Sequence, residues 1–149
     1  MVARFSSVGC VCLGLVFTLA AVCRGEATDD AKKKAERISS YVTLAETITR
    51  IGLQVGVMLE KHPYDKALCQ YAKELGALHA KAVVRLTPPE GAEGVHESFK
   101  EAVASFALCT EAHAAGDFPK ARTCRDKCVK EFNKTLFEVA KLRRSGAIP

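Results

Sequence analysis

The sequence predicts an all-α protein: an up-down-up-down antiparallel four-helix bundle behind an N-terminal signal peptide. Three observations predict it. Apolar residues recur at steps of three and four in four successive segments. Period-2 alternation and Asn-Gly or Asp-Gly hairpin signals are absent. Pro, Gly and Asp fall between the periodic segments, where helices stop and start.

The export signal comes first. Arg4 supplies a short positive start, and Val8 to Val22 form an apolar run. Small residues follow at Ala21, Cys23, Gly25 and Ala27. That layout is a signal peptide, with cleavage expected after Gly25. The run is ~15 residues, short of the ~20 that a spanning helix needs. Val22 before Cys23, where a small residue would be expected, argues against a lipoprotein. The expected organisation is a signal at 1–25, a bundle at 26–144 and a frayed tail at 145–149. The mature chain is expected to be exported, periplasmic or extracellular, with no membrane span.

The first helix is expected from about Thr28 to Lys61, with Thr28, Asp29 or Asp30 as N-cap. Its stripe is Ile38, Tyr41, Ala45, Ile48, Gly52, Val55 and Leu59, widened by Leu44, Ile51 and Met58. His62-Pro63 ends it, because Pro disfavours helix at the residue before it. The second helix is expected from Pro63 to Leu86, with Leu68, Ala72, Leu75, His79, Ala82 and Leu86 inward and Tyr71 and Leu78 alongside. The third is expected to open at Thr87-Pro88-Pro89-Glu90, which reads as a capping box. Val95, Phe99, Ala102, Phe106 and Cys109 form its core side, and Gly116 closes it. Asp117 caps the fourth helix, with Pro119 in its first turn. Ala121, Cys124, Cys128, Phe132, Leu136, Val139 and Leu142 face inward, and Lys141, Arg143 and Arg144 suit the negative helix end.

Composition excludes several function classes. The chain has 149 residues, 22 Lys+Arg and 17 Asp+Glu, and loses Arg4 and Arg24 with the signal. The remaining positive excess is small and spread along every segment, which is not the clustered basic face of a nucleic-acid binder. Gly91, Gly94 and Gly116 are isolated, so no phosphate loop exists. No nucleophile stands beside a base, and an enzyme is not expected. Asn133-Lys134-Thr135 is a glycosylation sequon, meaningful only in a eukaryotic source.

Seven cysteines become four once the signal is removed: Cys69, Cys109, Cys124 and Cys128. An even count in an exported chain favours disulfides. Residues equally far from an antiparallel turn lie at the same height. About a turn at 116–117, Cys109 is level with Cys124. About a turn at 87, Cys69 is level with Ser105, which is level with Cys128. The expected bonds are Cys109–Cys124 and Cys69–Cys128, each stabilising by ~2–4 kcal/mol. The alternative use of these four cysteines is a thiolate site for copper or zinc. A second candidate set is His79 and His96, also level about residue 87, with Glu93 at the Glu-x-x-His spacing of di-metal bundles. Such bundles need two of these motifs, and one is present.

Leu86-Thr87-Pro88-Pro89, one long helix, Ala115-Gly116-Asp117 and a last helix ending in basic residues resemble the periplasmic four-helix cytochromes of the b and c-prime types. The resemblance covers roughly residues 64–144 and implies the bundle fold. The haem signatures of both types are missing. Residues 133–137 contain no Cys or His where the c-prime type carries Cys-x-x-Cys-His, and Cys124-x-x-x-Cys128 has the wrong spacing. The early Met and late His of the b type are also missing. The resemblance is therefore to haem-free relatives, with no cofactor expected. The expected function is a non-enzymatic binding or structural role toward a protein or small molecule, the alternative being a metal or haem carrier.

Overall fold

The computed structural model describes residues 9–148, with side chains from Asp29 onward. It is all-helical: α1 (Gly9–Lys61), α2 (Lys66–Val84), α3 (Glu93–Ala114) and α4 (Phe118–Arg144), with no strand among the described residues. The chain divides into two compact units, Met1–Ala35 and Glu36–Pro149. The expected signal segment lies in the first unit, and its side chains fall outside the described residues. No helix boundary occurs at Thr28 to Asp30, because α1 is continuous from Gly9. The second unit holds the rest of α1 and all of α2, α3 and α4.

The three connections have different chemistry. His62, Pro63, Tyr64 and Asp65 form a turn closed by the Asp65 N–H donating to the His62 carbonyl at 3.1 Å. Pro63 takes the second position, which suits its fixed φ. Asp65, rather than Pro63, then starts α2: its carboxylate accepts from the Leu68 N–H at 3.0 Å.

The second connection departs furthest from expectation. The third helix opens at Glu93, six residues after Thr87. Pro89 pushes Pro88 out of the helical region, and Gly91 adopts φ +97°, which stops any helix there. Ala92 is the N-cap and offers no side-chain hydrogen bond. The Glu93 carboxylate compensates by accepting from the Gly91 N–H at 3.0 and 2.9 Å.

The third connection is as expected. Gly116 has φ +75°, its N–H donates to the His113 carbonyl, and the Asp117 N–H donates to Ala112. These two bonds are a Schellman ending. Asp117 then caps α4 by accepting from the Lys120 N–H at 3.1 Å.

The end of α4 is not frayed. Gly146 adopts φ +73°, its N–H donates to Arg143, and the Ala147 N–H donates to Leu142 at 3.3 Å. This second Schellman motif turns the chain back and buries Ile148 in the core.

The core is built from Phe99, Phe106 and Phe132 with the aliphatic stripes of α1 and α3. Each buried aromatic contributes roughly 1.5–3 kcal/mol relative to exposure. Contacts fix the pairings. Glu46, Gly52 and Glu60 of α1 meet Arg143, Phe132 and Arg125 of α4. Tyr41 of α1 meets His96 near the start of α3. Gly76 of α2 lies against Thr110 and Ala107 of α3, where an added Cβ would stand 2.6 Å from the Thr110 hydroxyl. On α2 the buried residues are Cys69, Ala72, Gly76 and Val83, while Tyr71 and Leu78 are exposed. The inward stripe is thus rotated from the expected one, because small residues let α2 approach α3 closely.

Candidate functional site

A groove of about 470 Å³ opens among α1, α3 and α4. Its floor exists because α1 carries Gly52 and Gly56 one turn apart. Gly52 is filled by the Phe132 ring, 2.6 Å from where a Cβ would stand, while a Cβ on Gly56 would meet nothing within 4 Å. Phe106, Phe132, Leu53, Val57 and Val129 supply apolar wall. Val57 is 50% exposed and Val129 39% exposed, so apolar surface continues to the mouth. At one end Arg125 donates to Glu60 at 2.6 Å and to Asp126 at 3.2 Å, forming a charged rim. Volume and lining match those of a small-molecule site. In the sequence Gly52 and Gly56 mark a place where the long first helix could bend, and Val57 and Val129 do not stand out as site residues. The visible signal is the pair of glycines four apart on an otherwise good helix.

Cys109 and Cys128 also line this groove. The Cys109 thiol donates to the Ala121 carbonyl at 3.5 Å, and the Cys128 thiol to Ala102 at 3.9 Å. Seven residues forward on α4 therefore correspond to seven back on α3, which is a steady register. That register sets Cys124 opposite Phe106, about one turn from Cys109. Cys124 is half-buried, while Cys109 and Cys128 are buried. Burial pushes the Cys109 thiol up to about 11, with Cys124 adding to the rise, and the Cys128 thiol up to about 12, with Cys109 and Cys124 adding.

Cys69 lies elsewhere. Its thiol donates to the Pro63 carbonyl at 3.5 Å, and it lines a second cavity of about 480 Å³ with His113, Gly116 and Phe118. That position is more than ten residues along α3 from Ala102, where Cys128 sits. The pair Cys69 and Cys128 is not brought together, because the α2–α3 connection centres several residues later than Thr87. All four cysteines are free thiols in the structure.

No family model, curated protein or solved structure matches this chain.

The same displaced connection separates the two histidines. With Gly76 against Ala107 and Thr110, His79 falls opposite the stretch from Ala104 to Ala107, more than two turns from His96. His79 is half-buried with no partner for Nδ1 among the described residues, and burial lowers its pKa. His96 is occupied otherwise: the Tyr41 hydroxyl sits 2.6 Å from its Nδ1. Glu93 faces Gly91 at the helix start. No group of three or more His, Cys, Asp or Glu among the described residues has the geometry to hold a metal ion.

Proposed function

We propose that this chain is an exported, non-enzymatic helical bundle that binds a small apolar molecule in the groove among α1, α3 and α4. The observation that carries the reading is the groove itself: about 470 Å³, apolar in its walls and open at a floor position that has no side chain. A bound apolar molecule would cover Val57 and Val129 and gain roughly 25 cal/mol for each Å² removed from water.

The up-down-up-down arrangement is supported by the opposed numbering of contacts between α1 and α4 and between α3 and α4, and for α2 and α3 by Gly76 against Ala107 with Cys69 sharing a cavity with His113. Export is supported by the Val8–Val22 run with its flanking residues. Asp29–Lys61 is also long and apolar enough to cross a membrane. Its stripe from Ile38 to Leu59 is buried against α3 and α4, which favours a core helix. Neither staple expected from sequence gains register in its favour. The metal-carrier alternative gains no support from the positions of Cys69, His79, His96 or Glu93.

Binding of the apolar fluorophore 1-anilinonaphthalene-8-sulfonate tests the groove. The folded chain should bind about one equivalent saturably, and Gly56→Leu should weaken binding at least tenfold with a melting temperature no lower than that of the wild type. Non-saturable binding, or equal binding by Gly56→Leu, would overturn the reading.

A further inference from the structure

One face of α2 is apolar and uncovered. At about 100° per residue, Tyr71, Leu75, Leu78 and Ala82 fall within an arc of about 60°. The centre of that arc lies about 120° from the centre of Cys69, Ala72, Gly76 and Val83, the residues that α2 buries. Tyr71 is 57% exposed, Leu78 is 63% exposed and Ala82 is exposed, while Leu75 is half-buried at the edge of the core. Steps of four, three and four make this a coiled-coil seam, beside the packing face rather than on it. Glu74 and Lys81, both exposed, flank the seam on the side away from the core. Glu74 accepts from Gln70 at 2.7 Å. Elsewhere opposite charges three apart pair within one helix, as Lys100–Glu97, Lys134–Glu131 and Lys141–Glu138 do. Glu74 and Lys81 stand seven apart, about 10 Å along the axis, too far to pair with each other.

We propose that this seam is a homodimer interface, covered by the same α2 face of a second copy lying antiparallel about a two-fold axis. Charge complementarity selects that occupant and that direction. With Tyr71 set against Ala82 of the second copy, and Leu75 against Leu78 of the second copy, Glu74 comes within about 3 Å of level with Lys81 of the second copy. The two-fold axis repeats each contact, so charges that cannot meet within one chain form two ion pairs between chains. Large Tyr71 then stands against small Ala82 in both outer layers, and leucine against leucine in both inner layers. A parallel pair would turn the Glu74 and Lys81 flank toward Ala72 and His79, which carry no fixed charge. The whole of α2 is about 28 Å long and about 10 Å wide, which is less than the ~800 Å² per partner of a standard interface. The dimer is therefore reversible and depends on concentration.

This is independent of what the groove binds. The test is sedimentation equilibrium of the full mature chain from about 5 µM to about 500 µM. The average mass should rise from that of one chain toward that of two across the range. Leu78→Glu, at an exposed position, should hold it at one chain, with an unchanged melting temperature at the lowest concentration. Glu74→Lys and Lys81→Glu should each weaken association about tenfold, since two attractions become two repulsions. The two substitutions together should restore association to within about threefold of the wild type. A wild type that stays monomeric throughout overturns the proposal and leaves the seam to a different partner. A dimer that Leu78→Glu leaves intact overturns its placement on α2. A dimer lost in Leu78→Glu but not restored by the double exchange overturns the antiparallel arrangement.

Discussion

Tyr41 shows how one side chain ties two distant segments. Its hydroxyl shares a hydrogen bond with His96 Nδ1 at 2.6 Å across 55 residues of sequence. Burial, and then the negative charge of Glu97, raise its pKa from 10.0 to about 12. The sign follows from proton counting. Between those values the unfolded chain gives up the phenolic proton while the folded chain keeps it, so stability is full below about pH 10 and falls as pH rises toward 12. The loss should stay below about 3 kcal/mol, the worth of two tenfold steps in proton affinity at about 1.4 kcal/mol each, because water screens part of the effect. Urea unfolding across that alkaline range should show it. Tyr41→Phe should flatten the slope while costing about 1 kcal/mol at neutral pH. Sequence periodicity marks Tyr41 as core but not as a hydrogen-bonding residue. Periodicity reports which side of a helix is inward, and it carries no information on a polar partner from another helix. The same limit explains His96, which counting along the chain sets level with His79 and which pairs in space with Tyr41.

At the level of helices and turns, structure is legible in the sequence wherever the signal is local. Gly116 and Asp117 end one helix and start the next through bonds within six residues, and both are legible. Thr87 to Glu90 looks equally local but carries two conflicting instructions, a capping box and a Pro-Pro-x-Gly breaker. The breaker prevails, because a positive-φ glycine and consecutive prolines forbid the helical turn a capping box needs. That single displaced turn moves α2 along α3 and dissolves both the Cys69–Cys128 pair and the His79–His96 pair. The two glycines of the α1 floor illustrate how packing, not propensity, decides a substitution. A Cβ at position 52 would meet the Phe132 ring at 2.6 Å. That ring is fully buried and tilted against Phe106 at 6.1 Å, so it has little room to retreat. Gly52→Ala should therefore cost roughly 1–3 kcal/mol. Gly56→Ala, open on all sides, should gain roughly 0.5–1 kcal/mol from reduced backbone freedom. Chemical denaturation of the two variants side by side checks both signs.

For the molecule as a whole, the all-helical class is legible, because helix existence depends on short-range pattern. Closure of the core is less so. Ile148, four residues past the end of α4, is buried through a glycine-dependent reversal that the Ser145–Pro149 composition does not announce. The groove is invisible in the sequence for a related reason: a cavity is defined by what three helices leave unfilled, and no one segment encodes it. The turn at Ala115, Gly116 and Asp117 has a further consequence, in time rather than in space. It joins by three residues two helices that share a longer seam than α2 and α3 do, so the contacts near the turn close short loops of chain. Short loops cost little entropy and form early. The α3–α4 hairpin should thus serve as the folding nucleus. Truncations along its seam, such as Phe106→Leu and Cys128→Ala, should give φ-values of about 0.5–0.8, while Val42→Ala and Val55→Ala on α1 should stay below about 0.3. Chevron analysis of these four variants would decide it. If it holds, α1 docks last, and the groove between α1 and α4 is the final part of the molecule to take shape.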